Sequence, residues 1–382
     1  MLEKLGKRAL AMPVIIGIVL CCILSLAVSP LLRADPHNVP FAIVNLDKGA
    51  TTIAGTNNIG ETLTHNLISG EASLAGDGKD ESNTSMQDAI NWTQLGSESE
   101  LQDALDNNGY YGGIVIPANF TSRQVSSAVG LGNAPEITVY LNKGKNPQMA
   151  NSMQTTLQAG MLKAGIACNI KVVNDATLGD GTMSDTMAVQ MLVMPLLMMT
   201  MICSILASLL FWHKDVTGLR KKSRPQAAAA QAVFVAALSA VVAGLALFVD
   251  AVAGGLSLPL GPLFLLCWGS SFCCMLCFVG LCDIALPLGA LVAIGTFALG
   301  MGTAMLGPEM LPSFWADWIY PWAPQAHIGN GIRTIIYFGH MPNQPDLVPL
   351  AVFGIVGILA LIGAALLPKK GSIGKKYTKV NS

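Results

Sequence analysis

Charge is scarce in this chain: Asp, Glu, Lys and Arg make up 12% of its 382 residues, about half the roughly 25% of a soluble globular protein. Positive charge is not in excess either. The 22 Lys and Arg face 23 Asp and Glu, a formal net charge of −1, so no global basic field exists to hold nucleic acid. Eight of the nine cysteines fall in apolar runs and only Cys168 lies in polar sequence, which excludes a disulfide framework for an exposed domain. Cys267, Cys273, Cys274, Cys277 and Cys282 cluster, yet no His or carboxylate of matching spacing joins them. Thiols in an apolar run behave as small hydrophobes, so no metal is expected. GxxxxGK[ST] is absent, and Gly76-Asp77-Gly78-Lys79 runs on into Asp80. No catalytic residue, no cofactor and no ATP hydrolysis are expected of this chain.

Apolar length is what the sequence has in abundance. Hydrophobic residues reach 52% and mean hydropathy is +0.54. An apolar run from Ala9 to Leu32 precedes a long polar stretch, and nearly everything from Met187 to Leu367 is apolar again. At about 20 apolar residues per crossing, six spans fit: 9–32, 187–212, 226–252, 257–281, 284–306 and 347–367. Basic residues in His213–Pro225, the Gly254-Gly255 pair with Pro259, and Asp283 followed by Pro287 mark the breaks. The loop 307–346 is too polar and proline-rich for a seventh span. The first run exceeds the roughly 7–15 apolar residues of a secretory signal and no A-x-A site follows, so an uncleaved anchor is expected.

Lys4, Lys7 and Arg8, five basic residues in 213–225, and Lys369, Lys370, Lys375, Lys376 and Lys379 fall on one side of a six-span arrangement. Positive residues stay inside, so both termini are expected in the cytoplasm. The fold class is an α-helical polytopic protein of the cell membrane, with six transmembrane helices and an extracytoplasmic α/β domain inserted between the first and second. Its parts are an interfacial segment (1–11), the first transmembrane helix (12–32), the extracytoplasmic domain (33–186), a five-helix membrane domain (187–367) with an outer loop at 307–346, and a basic cytoplasmic tail (368–382).

Within the polar stretch, VPFAIVN (39–45), YYGGIVIP (110–117) and EITVYLN (136–142) read as strands. Segments near 58–69, 97–107 and 119–129 read as helices, with Ser97 or Ser99 as a cap. Residues 70–86, rich in Gly, Ser and Asp, read as a surface loop. A Gln/Ala/Met-rich stretch from Pro147 to Asp175 reads as one long helix returning towards the membrane.

FAIVNLDKGAT from Phe41, NIGETLTHNL from Asn58, GYYGGIVIPANFT from Gly109 and ITVYLNKGKNP from Ile137 follow the order and approximate spacing of the phage-infection-protein (YhgE/Pip) family, within the type 2 ATP-binding-cassette permeases. PWAPQAHIGNGIRTIIYFG is similar to the segment that precedes the last span of those permeases. The resemblance covers most of the chain, but the long coiled-coil outer region of many members is missing. It implies a permease that moves a hydrophobic or amphipathic substrate outward, a cytoplasmic ATPase subunit as engine, and pairing as a homodimer or a heterodimer with a related permease. The alternative is a non-transporting receptor or envelope-assembly scaffold that binds through its outer domain.

Three groups of residues carry that expectation. Lys214, Asp215, Arg220, Lys221, Lys222 and Arg224 occupy the place of the coupling helix in the resembled permeases, against the plainer role of fixing topology at anionic lipid. Met187, Met191, Met194, Met198 and Met201 recur on one helix face, a polarizable stripe suited to a lipophilic path or to ordinary packing. Trp315, Trp318, Trp322 and Arg333 form a candidate outer gate, or an interfacial anchoring belt. Asp250 and Asp283 fall at span ends, where the cost of a carboxylate in lipid mostly disappears.

Overall fold

The computed structural model describes residues 36–52, 55–69, 90–163, 166–176, 178 and 182–367, with Ile18, Cys21, Cys22, Ser25 and Pro30 of the first apolar run. The interfacial segment 1–11, most of the helix expected at 12–32, the loop at 70–86 and the tail 368–382 lie outside the described residues.

The first unit is a sheet domain. Its elements run β1 (Val39–Asn45), β2 (Ala50–Thr52), β3 (Gly55–Asn57), α1 (Ile59–Ser69), β4 (Ile90–Leu95), α2 (Glu98–Asp106), β5 (Gly112–Ile116), α3 (Phe120–Ala128), β6 (Glu136–Asn142), α4 (Pro147–Lys163) and β7 (Ala167–Val173). Five strands form one mixed sheet in the order β4-β1-β5-β6-β7, and β2 and β3 make a separate hairpin. β1 lies parallel to both β4 and β5, and β6 runs antiparallel to β5 and parallel to β7. β1 and β5 sit centrally and are covered on both faces, which is why they read as unbroken apolar runs. On one face Ala42, Val44 and Val115 pack under Leu101 and Leu105 of α2. Ser97 caps α2 by accepting from Glu100 N (3.1 Å), while the Glu100 carboxylate accepts from Gly96 N (2.9 Å).

Beyond the carboxyl end of β1, Asp47 joins two helix starts. Its carboxylate accepts from Gly60 N (3.2 Å) of α1, from Thr121 N (3.1 Å) of α3 and from the Thr121 hydroxyl. Thr121 Oγ1 in turn accepts from Ile59 N (2.8 Å), and Asn58 Oδ1 accepts from Glu61 N (2.9 Å). The free N–H groups opening α1 are thus satisfied. A side chain at Gly60 would place its Cβ 2.6 Å from the Asp47 Cβ.

One expectation is overturned here. The long helix read over Pro147–Asp175 ends at Lys163, and Ala167–Val173 is the strand β7, paired with β6 along its whole length. ACNIKVV carries three β-branched residues, and beside β6 it completes the sheet edge.

The helical unit continues with α5 (Thr182–Ser208), a π turn at Leu209–His213, α6 (Leu219–Lys222), α7 (Arg224–Val252), α8 (Leu260–Ile284), α9 (Leu286–Leu299), a 3-10 turn at Met301–Ala304, α10 (Pro324–Phe338) and α11 (Gln344–Leu366). Among the described residues, four helical stretches are long and apolar enough to cross a membrane: Met187–His213, Arg224–Val252, Leu260–Ile284 and Gln344–Leu366. α8 is the hub, touching α5, α7, α9, α10 and α11. Apolar on every side, it is the type of helix that belongs in a core. Against it α11 comes very close: a Cβ on Gly357 would lie 2.4 Å from Cys277 N.

The span expected at 284–306 is not one continuous helix. Ala285 is extended and Pro287 opens α9, which ends at Leu299 before Gly300 and the 3-10 turn. Its 14 residues cover about 21 Å, and the 3-10 turn adds about 8 Å. The loop 307–346 holds α10, which is buried along most of its length. Leu306, Met310, Leu311, Trp315, Ile319, Ala323 and Ala326 share one core with Phe41, Ile114, Val139, Met149 and Leu157 of the sheet domain. The sheet domain and this connection fold as a single block at one end of the bundle.

Candidate functional site

At the end of the bundle away from the sheet domain, the chain turns from α5 into α7. Asp215 and Gly218 adopt left-handed backbone, with φ of 49° and 67°. Asp215 is buried, and its two oxygens accept from Arg220 N and Lys221 N, both at 3.1 Å, which caps α6. The Arg220 guanidinium donates to Trp212 O, and Arg220 and Arg224 stand 5.3 Å and 5.8 Å from the Trp212 ring centre. Trp212 is buried against Ala227 and Ala364. The six charged residues singled out in the sequence therefore divide. Asp215, Arg220 and Arg224 build the turn, while Lys214, Lys221 and Lys222 are exposed, together with Val216 at 69% exposure.

Directly above the turn, Asp283 near the end of α8 is buried. Its Oδ1 accepts from Ser208 Oγ (2.6 Å) on α5 and Gln231 Nε2 (3.4 Å) on α7. His213 Nε2 lies 2.9 Å from Cys282 O. Three helices meet in this polar knot; the sequence reading put Asp283 at a span end, where it does lie, but did not foresee its burial or its partners. The available signal was Gln231, an amide inside the largely apolar run 226–252.

The methionines of α5 do not share one environment. Met191 and Met198 are exposed, while Met187, Met194 and Met201 are half-buried, the last two against the bundle core. Met191, Pro195 and Met199 line an outward-facing groove of about 210 Å³ with Val242, Val249 and Asp250 of α7. On the inner side, Thr200 and Ser271 pair at 2.7 Å across to α8.

At the sheet-domain end, the aromatic residues of the expected gate are not gathered at one mouth. Trp315 is buried in the shared core, Trp318 is 71% exposed, and Trp322 is half-buried with its Nε1 donating to Trp318 O (2.6 Å). Trp322 also borders an apolar groove of about 430 Å³ with Leu281, Val292, Leu299 and Phe353. Arg333 is buried, donating to Ala304 O (3.0 Å) and Asn330 Oδ1 (2.5 Å).

Polar contacts fasten the sheet domain to that region. The Tyr111 hydroxyl donates to Glu309 Oε2 (2.9 Å), Asn146 Nδ2 donates to Met305 O (2.8 Å), and His37 N donates to Glu309 O (2.8 Å). Lys145 Nζ sits 5.0 Å over the Tyr111 ring and donates to Asn108 O (2.9 Å). Burial, with the Glu309 carboxylate beside it, holds the Tyr111 hydroxyl well above its ordinary range. Burial also draws the Lys145 ammonium down.

Among the described residues no group of three or more His, Cys, Asp or Glu is placed to hold a metal. No curated protein and no solved structure matches the chain. A family model does match, described as ABC-2 family transporter protein, and it covers residues 7–367, taking in the sheet domain and all four long helices. The chain belongs to this family: it is the membrane permease of an ATP-binding-cassette transporter, whose ATPase is a separate partner subunit.

Proposed function

We propose that this permease exports a hydrophobic or amphipathic substrate, with its sheet domain outside the cell and the turn between α5 and α7 docked on the ATPase. The observation that carries the reading is that turn. Internal contacts hold it rigid, and it presents Lys214, Val216, Lys221 and Lys222 outward. A rigid basic knob with an apolar tip suits an acidic, partly apolar socket, and stiffness is what lets a push on it move α5 and α7.

Orientation follows from charge. The knob is at the end opposite the sheet domain, and basic loops stay in the cytoplasm. Six crossings are reached with the apolar run 9–32, the four long helices and the shorter α9 with its 3-10 turn. The methionine groove between α5 and α7 faces away from this chain's own core. A closed path there needs a second wall, which a second copy or a related permease supplies.

The test is charge reversal. Lys214→Glu, Lys221→Glu and Lys222→Glu combined should abolish ATPase co-purification while the detergent-solubilised permease keeps its melting temperature. Undiminished recovery of the ATPase with that triple variant would disprove docking through the knob.

A further inference from the structure

A second apolar groove opens at the knob end. Its walls are Ala229 and Ala232 of α7, Phe272 and Leu276 of α8, and Ile362 and Leu366 of α11, and its volume is about 460 Å³. Pro225 bounds it, so its mouth adjoins Arg224 and the N-terminus of α7. The wall from Pro225 to Ala232 is about 10 Å long, within the ~15 Å of acyl chain that one leaflet offers.

The residues just ahead of Pro225 in the chain carry charge of one sign: Lys221 and Lys222 are exposed, and Arg224 is half-buried. Arg224 Nε is buried without a hydrogen-bond partner among the described residues. The nearest carboxylate in sequence, Asp215, already commits both oxygens to the backbone of α6. A phosphate would answer the basic residues, and a hydrocarbon chain would answer the walls below them.

We propose that this groove is a binding site for one anionic phospholipid, its acyl chain lying between α7 and α11 and its phosphate against Lys221, Lys222 and Arg224. The site shares Lys221 and Lys222 with the proposed ATPase contact, but the groove belongs to it alone, and lipid binding needs no partner subunit. Each basic residue at an anionic lipid surface contributes about a fivefold gain in binding.

The test uses the full chain purified in mild detergent without the ATPase, incubated with equal amounts of phosphatidylglycerol and phosphatidylcholine, and read by native mass spectrometry. One phosphatidylglycerol per chain should be retained in preference to phosphatidylcholine. Lys222→Gln with Arg224→Gln should weaken retention by about 25-fold. Ala229→Phe, on an exposed position of the wall, should also displace the lipid, and its unchanged melting temperature would show that the bundle is intact. Equal retention of the two lipids would overturn the site, as would retention unaffected by Ala229→Phe. So would an Ala229→Cys chain that oxidises onto Cys21 or Cys22, because the chain's own first apolar run would then fill the groove.

Discussion

Removing the Asp47 carboxylate should unlock two helices at once. Asp47 is half-exposed, and it accepts three hydrogen bonds, one from the start of α1 and two from Thr121 at the start of α3. A hydrogen bond to a charged group contributes about 1.5–3 kcal/mol when buried, and a carboxylate at a helix N-terminus adds about 0.3–1 kcal/mol. Water can reach this site and replace part of each contact, so Asp47→Ala should cost about 2–3 kcal/mol, in line with the loss of two caps. In hydrogen exchange of the full chain, amides in 59–69 and 120–128 should then open about 30- to 150-fold more often. Exchange in α2, which rests on the other face of the sheet and has its own Ser97 cap, should not change. Asp47→Asn puts a donor where Gly60 N also donates, so it should lie nearer to alanine than to the native residue. A change below about threefold in both helices would refute the view that this carboxylate holds them.

Gly357→Ala should force α8 and α11 apart, since the new Cβ would meet the backbone at Cys277 N and Leu276 C, both at 2.4 Å. Overpacking of that kind costs about 1–3 kcal/mol, readable as a lower melting temperature in detergent, whereas Gly295→Ala, with nothing within 4 Å of the new Cβ, should be neutral or slightly stabilising. Tyr111→Phe leaves Glu309 Oε2 without its hydroxyl donor. Amides near 307–312 should exchange roughly tenfold faster, and unchanged protection would mean that the apolar core alone holds the junction. Asp215→Ala removes the cap of α6, so limited trypsin cleavage after Arg220, Lys221 or Lys222 should speed up about fivefold, and an unaltered rate would show that the turn is held by Trp212 instead.

The parts of the fold that were legible in the sequence are those with a local signal. β1 and β6 appear at the expected residues, and Ser97 caps α2, because β-branched and aromatic runs, turn residues and caps act over a few positions. β7 was read as helix because its partner is β6, and its own sequence carries only a short β-branched run at the edge of a sheet. The four long helices were legible from apolar length alone. α9 was not, because hydropathy measures composition along 284–306 and is blind to a change of helix type after Gly300. The candidate sites divided on similar lines. Exposure of Lys221 and Lys222 is typical of lysine, but the inward turn of Arg220 and Arg224 depends on Trp212, and the burial of Asp283 depends on Ser208 and Gln231 from two other helices.

The short α9 sits between the two ends of the molecule. It begins three residues after Asp283, whose carboxylate is tied to α5 and α7 directly above the knob. Near its other end Gln325 Nε2 donates to Thr296 O and Phe297 O, both at 3.0 Å, and Arg333 grips Ala304 O in the turn that follows. Five residues on, Glu309 is held by Tyr111 of the sheet domain. Long helices can tilt within a bilayer, but a helix of about 21 Å held at its C-terminal end and joined to α8 through Ala285 alone has little slack to absorb a shift. A displacement of the Asp283 knot would therefore reach the 301–309 segment and the sheet domain along α9 only as far as these terminal contacts hold.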